Sequence, residues 1–301
     1  MSLATSPLRY PGGKGSLFGL VSNIIRLNKL ERGHYAEPYA GGCGLALSLL
    51  YGGQVSDIHI NDLDRPVWAF WNAVLNQTDE LIDLMMATPV TIEEWRRQRQ
   101  IHRDARNATN LQIGFAAFFL NRTNRSGIIK NAGVIGGLSQ KGGYTIDCRF
   151  NKGELTRRIR RVRKYHGRIH LHRKDALDFI THVERHLPDD TFLCIDPPYF
   201  NKGSSLYTSA YVPKDHEKVS RRILSLRHPW IITYDCCDEV RQLYTTRRQF
   251  QISLNYSAQV KRVGSELLIA SKGLRLPADL RNDQVHYPQY GATANDAGIS
   301  V

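Results

Sequence analysis

Asp196-Pro197-Pro198-Tyr199 is the segment of this chain best equipped for chemistry. It follows Thr191-Phe192-Leu193-Cys194-Ile195, an apolar run with the length of a buried strand. Two prolines stiffen the backbone and remove two amide donors, so nearby carbonyls are left to accept. An ionised Asp196 accepts as well, and the Tyr199 ring offers a flat stacking face. Together they could grip a flat, amino-bearing base by its NH2 group and its ring. Chemistry on a nucleobase amino group requires such a grip, because the base must leave the stack to be reached. Asp-Pro is also a common turn opener, so the tetrapeptide alone leaves both readings open.

A second set lies near the N-terminus. Gly41-Gly42-Cys43-Gly44 would let backbone approach a ligand at the start of a helix, and Asp62 stands 21 residues after Gly41. An acid about 20 residues beyond a glycine turn suits a contact to ribose hydroxyls. The turn lacks the full G-x-G-x-x-G pattern, which fits a nucleoside ligand without a pyrophosphate as well as it fits a plain tight turn. Lys14 stands in a glycine loop, Tyr10-Pro11-Gly12-Gly13-Lys14-Gly15, but the G-x-x-x-x-G-K-[ST] pattern is absent, so nucleoside triphosphate hydrolysis is unsupported.

These residues need a scaffold, and the chain supplies one. His34 to Pro38 reads as a strand, Leu45 to Tyr51 as an apolar helix and Ile58 to Ile60 as a second strand, the order of a nucleotide-binding βαβ unit. From Asp64 to about Tyr144 the alternation stops and helical patterns dominate, with Leu111 to Leu120 strongly apolar. The alternation then resumes. Glu154 to Lys164 and Lys214 to Leu226 are predicted helices; Arg168–His172, Trp230–Tyr234, Gln251–Leu254 and Glu266–Ser271 are predicted strands. This divides the chain into a first core part (1–63), an inserted mainly helical part (64–151), a second core part (152–272) and a polar tail (273–301) expected to be frayed.

The ordered set Tyr10-Pro11-Gly12-Gly13-Lys14, Glu37-Pro38-Tyr39-Ala40-Gly41-Gly42-Cys43-Gly44, Asn61-Asp62, Phe119-Leu120-Asn121-Arg122-Thr123-Asn124-Arg125-Ser126-Gly127 and Asp196-Pro197-Pro198-Tyr199 resembles the Dam-type (D12 class) DNA adenine-N6 methyltransferases, as does Glu266-Leu267-Leu268. The resemblance spans Leu8 to Lys272. It implies an α/β fold: a Rossmann-like S-adenosylmethionine-dependent methyltransferase core with an inserted target-recognition domain. It implies cofactor contacts at Tyr10, Lys14, Asp62 and Asp196, with Glu37, Gly41, Gly42 and Gly44 lining the methionine end and Asp175 near the adenine. It gives Asp196, Pro197, Pro198 and Tyr199 the catalytic role. Asp at the first motif position favours adenine over cytosine N4. The family's reading hairpin usually carries an aromatic followed by Asn-Gly-Leu. Here it reads Thr123-Asn124-Arg125-Ser126-Gly127-Ile128, so no recognition sequence is assigned.

The formal charge of +13, from 41 Lys plus Arg against 28 Asp plus Glu, favours a polyanionic partner. With the resemblance, that partner is double-stranded DNA. Arg122, Asn124, Arg125, Lys130 and Lys141, in the Gly-rich polar Asn121–Gly143 region, are the expected DNA contacts. So are Arg157 and Arg161 on a strongly cationic helix. No window approaches eighteen apolar residues and Met1 to Arg9 lacks a signal core, so neither a membrane nor secretion is expected and a cytoplasmic monomer is. The five scattered cysteines form no C-x-x-C pair and no H-E-x-x-H occurs, which argues against a zinc site; no metal is expected. A paired restriction nuclease is a compatible partner. Cytosine-N4 or RNA methylation on the same fold, and a non-catalytic DNA-binding module, are the alternative readings.

Overall fold

The computed structural model describes residues 5–9, 14–200, 211–256, 262–278 and 280. Seven strands form one sheet: β1 (His34–Glu37), β2 (Asp57–Asn61), β3 (Ile169–His172), β4 (Phe192–Ile195), β5 (Trp230–Asp235), β6 (Arg248–Tyr256) and β7 (Arg262–Ala270), in the order β3-β2-β1-β4-β5-β7-β6. The first five are mutually parallel, and β7 runs antiparallel to both β5 and β6. Strand β1 lies between β2 and β4. The chain therefore winds outward to β3 and restarts at β4 on the other side. That reversal opens a crevice at the carboxyl ends of β1 and β4, where open parallel sheets bind ligands.

Helices cover both faces of the sheet. In β4, Phe192 and Cys194 enter one hydrophobic cluster while Leu193 and Ile195 enter the other, as the two-residue pleat requires. The first face carries α1 (Phe18–Leu27) and α2 (Gly44–Tyr51); the second carries α8 (Ala176–His186), α9 (Pro213–Leu224) and α10 (Asp238–Leu243). Helix α2 reads Gly-Leu-Ala-Leu-Ser-Leu-Leu-Tyr, apolar nearly all round, because it is buried between sheet and neighbouring helices.

Between β2 and β3 the chain forms α3 (Arg65–Asn76), α4 (Thr78–Ala87), α5 (Ile92–Arg103), α6 (Asn110–Thr123) and α7 (Lys152–Lys164). Helix α6 starts at a reciprocal cap, with Thr109 accepting from the Gln112 amide and Gln112 from the Thr109 amide. Gly114 lets α6 approach α3 closely: a Cβ there would lie 2.6 Å from the Ala69 backbone. The hydrophobic cluster of the first sheet face continues through Val67, Trp71 and Phe118, so the core runs unbroken across the expected boundary at Asp64.

The tail expected from Gly273 starts later than the sequence suggests. Leu274, Leu276 and Leu280 are buried in the first-face cluster, and Asn28 exchanges hydrogen bonds with both the N–H and the C=O of Arg275. Three leucines in so short a stretch are too few to show a period. The remaining tail residues lie outside the described ones.

Candidate active site

The glycine turn after β1 is held by three partners. Asp62, just beyond β2, accepts from the Gly41 amide at 2.9 Å and from the Asp64 amide at 2.9 Å. Trp71 of α3 donates to the Gly41 carbonyl at 2.9 Å. Buried Asn61 donates to the carbonyls of Pro38 (2.9 Å) and Lys174 (3.0 Å) and accepts from the Lys174 amide, so it ties the carboxyl ends of β1, β2 and β3 together. Glu37, at the end of β1, accepts from the Tyr35 hydroxyl at 2.8 Å. Burial pushes the Glu37 carboxyl up to about 8 and the Asp62 carboxyl up to about 7. Asp175 is exposed at the end of β3 and caps α8 by accepting from the Leu177 amide. Tyr10 and Gly12 to Gly13 lie outside the described residues.

Across the crevice, Asp196 follows β4 directly. Its Oδ1 accepts from the Thr233 hydroxyl at 2.9 Å and pairs with the Lys14 ammonium at 3.1 Å. Among the described residues no donor reaches its Oδ2, and the side chain is 22% exposed. Desolvation pushes this carboxyl up to about 6, against the pull of Lys14. Pro197 and Pro198 are buried, and Tyr199 is half-buried with its hydroxyl donating to Glu266. Lys14, expected at the cofactor, stands beside Asp196 at the crevice. Its ammonium lies among Asp196, both oxygens of Glu266 (3.0 Å each) and the Tyr199 hydroxyl (3.2 Å), because a buried cation needs carboxylates around it.

The Asn121–Gly143 region contains a rudimentary hairpin. The Arg125 amide donates to the Gly133 carbonyl and the Ile135 amide to the Thr123 carbonyl, around an Asn124–Val134 bridge. Arg125 and Lys130 are exposed on it, and Lys141 beyond it. Asn124, expected to face DNA, points inward. It accepts from Trp95 Nε1 at 2.7 Å and donates to the Ile128 and Ile129 carbonyls, which makes it the brace of the turn. Asn121 donates to the carbonyls of Arg9 and Gly127 and accepts from the Arg9 amide. Gly127 has a φ of +74°, and a Cβ there would sit 2.3 Å from the Arg9 oxygen. The hairpin is thus clamped to the segment leading into Tyr10. Arg122 is buried, donates to the Arg149 carbonyl at 2.8 Å and shares its surroundings with Arg9, Arg149 and Arg158. Desolvation and these like charges hold its guanidinium down to about 9. On α7, Arg157 pairs with Glu154 at 2.6 Å and Arg161 lies over the Tyr51 ring at 4.0 Å.

Residues 10–258 match the model of the D12 class N6 adenine-specific DNA methyltransferases. The chain belongs to this family. Among solved structures, a Pyrococcus horikoshii protein described as a candidate RNA methyltransferase is similar at 10% identity and a TM-score of 0.37, over 88% of this chain and 85% of that one. A conserved hypothetical protein of Streptococcus pyogenes is similar at 10% identity and a TM-score of 0.33, over 84% of this chain and 96% of that one. No curated protein sequence matches the chain.

Methyltransferases of this kind draw on S-adenosylmethionine, and the crevice of this D12 chain fits that group. A Cβ built on Gly44 would meet nothing within 4 Å, so the turn faces open space. The acids around that space, Glu37, Asp62 and Asp196, suit a ligand with a sulfonium, an ammonium and ribose hydroxyls. Sequence reasoning missed the tie made by Asn61, the Thr233 bond to Asp196 and the role of Glu266. The last carried a signal: a carboxylate inside the apolar strand Ser265-Glu266-Leu267-Leu268-Ile269-Ala270 requires a buried cation.

Among the described residues no helix is long and apolar enough to cross a membrane, and no His, Cys, Asp and Glu cluster could hold a metal ion.

Proposed function

We propose that this chain transfers a methyl group from S-adenosylmethionine to the N6 amino group of an adenine flipped out of double-stranded DNA. The observation that carries this reading is the Asp196 carboxylate just after β4, held through Oδ1 by Thr233 and Lys14 while no donor among the described residues takes its Oδ2.

The cofactor supplies an electrophilic methyl group on a sulfonium. The protein has to bring a poor nucleophile into line with it, since the adenine nitrogen lone pair is delocalised into the ring. Asp196 Oδ2 and the Pro197 carbonyl accept from the NH2 group, which favours sp3 geometry at nitrogen and stabilises the positive charge that develops there. Thr233 and Lys14 fix the carboxylate from its other oxygen. Tyr199 stacks on the base. The surplus proton leaves through Asp196 or water after transfer, so no strict general base is required. Glu37, Gly41, Gly42, Gly44 and Asp62 hold the cofactor, with Asp175 at its adenine end. Lys14 also pairs with Asp196, so it links the cofactor side of the crevice to the carboxylate that grips the base.

For the DNA, Arg125 and Lys130 of the hairpin and Lys141 beyond it are exposed, while Arg122 lies in a group of like charges that a phosphate would relieve. Incubation with tritium-labelled cofactor, followed by digestion of the DNA to nucleosides, tests the proposal. N6-methyladenine from duplex DNA is the expected product. Label on cytosine, or on RNA alone, would replace the substrate assignment, and absence of any transfer would leave a binding module. Asp196→Ala should abolish transfer while most DNA affinity survives, since phosphate contacts elsewhere supply it.

A further inference from the structure

Glu266 is a fully buried carboxylate in β7, paired across the sheet with Asp235 of β5. It gathers two segments remote in sequence: Lys14, whose ammonium lies 3.0 Å from both of its oxygens, and Tyr199, whose hydroxyl donates to Oε1. Lys14 also donates to that hydroxyl at 3.2 Å and pairs with Asp196 at 3.1 Å. The ammonium thus bridges one carboxylate inside the wall and one facing the crevice. A lysine shared between two carboxylates neutralises neither completely, so Asp196 keeps more accepting power than a dedicated Lys14–Asp196 pair would leave it. The same bond to Tyr199 fixes where its ring stands, since a hydroxyl held at the far end of a phenol anchors the long axis of the ring.

We propose that Glu266 is a positioning residue for the transfer site: its buried carboxylate holds Lys14 and the Tyr199 hydroxyl together, and thereby sets both the charge balance at Asp196 and the place of the Tyr199 ring beside the target base. This rests on the methyl-transfer reading above. The negative charge of Glu266 raises the Asp196 carboxyl, opposing the Lys14 contribution.

Glu266→Gln preserves shape and removes the charge. The expected result is a kcat at least tenfold lower with the cofactor KM within about twofold, and an acid limb of the pH–rate profile displaced downward by on the order of one unit. Tyr199→Phe should reproduce part of the kcat loss, and the double variant should be less than additive, because both changes break one linkage. A second readout needs no turnover: carbon-13 titration of the Asp196 carboxyl, assigned with Asp196→Asn, should move to lower pH in Glu266→Gln. If the wild type transfers no methyl group, the methyl-transfer reading fails and this titration still decides the role of Glu266. An unmoved Asp196 midpoint, an unchanged kcat, a loss confined to cofactor KM, or strict additivity with Tyr199→Phe would each overturn the assignment. Should Glu266→Gln not fold, Glu266→Asp keeps the charge but shortens the reach. It should then retain the pH limb and lose kcat; the reverse pattern refutes the proposal.

Discussion

At the scale of single residues, the crevice is a set of acids waiting for a cation. Glu37 and Asp62 have carboxyls pushed up to about 8 and about 7 by burial, so near neutrality each binds more protons than it would in water. A sulfonium and an ammonium brought beside them favour the ionised forms. The sign follows: cofactor binding should release protons between about pH 6 and pH 8, and its affinity should rise as pH rises through that window. Calorimetry in buffers of different ionisation enthalpy measures the release, and proton uptake would contradict the assignment. Asp62→Ala should weaken the cofactor by ~1.5–3 kcal/mol, the range for a charge-assisted hydrogen bond. Part of that loss comes through Gly41, whose amide Asp62 holds. Asp62→Asn separates the two, since an amide can still accept from Gly41. Unchanged affinity in both variants would remove Asp62 from the site. This pairing was legible in the sequence because strand, turn, helix, strand and acid are contiguous. The pairing of Lys14 with Glu266 was not, because 252 residues separate them and only the β6–β7 hairpin brings them together.

At the scale of elements, the hairpin around the Asn124–Val134 bridge shows what a local pattern can and cannot say. Gly-rich, basic composition marked the region as an exposed loop, and Arg125, Lys130 and Lys141 are exposed. Which polar residues turn inward depends on partners that composition does not reveal. Asn124 and Asn121 are buried because Trp95 and the Arg9 backbone supply their hydrogen bonds. The burial of Leu274 and Leu276 in the first-face cluster is another case, since no periodicity announces it. With Asn124 as brace, Arg125 next to it is the side chain that the hairpin presents on a fixed backbone, its amide bonded to Gly133. A guanidinium so presented can hold guanine by two hydrogen bonds. Arg125→Ala should therefore relax preference at one base position by ~1–3 kcal/mol, whereas Lys130→Ala or Lys141→Ala should weaken all sequences alike. Methylation profiling on a randomised duplex library distinguishes them. A base preference left intact by Arg125→Ala would make it one more brace.

At the scale of the whole molecule, an excess of 13 positive charges gives long-range attraction to a polyanion, but the charges are not equivalent. Helix α7 carries the densest run, and its apolar residues Leu155, Ile159 and Val162 are buried, so the arginines lie on the solvent side. The sequence alone suggested Arg157 and Arg161 as contacts. In the folded chain Arg157 is balanced by Glu154 and Arg161 is stacked on Tyr51, while Arg160 and Arg163 are exposed with no acidic partner among the described residues. A cation already paired within the protein releases few counterions when it meets a phosphate; an unpaired one releases nearly a full equivalent. Arg160→Ala and Arg163→Ala should each reduce the slope of log K against log salt by about one and weaken every DNA sequence equally. Arg157→Ala should change the slope less, because it leaves Glu154 with only Arg158 to neutralise it. Fluorescence anisotropy on duplexes of unrelated sequence, titrated across salt, reads both quantities. Slopes identical to wild type in the Arg160 and Arg163 variants would turn α7 away from the DNA and leave the Arg122 group and the hairpin as its principal contacts.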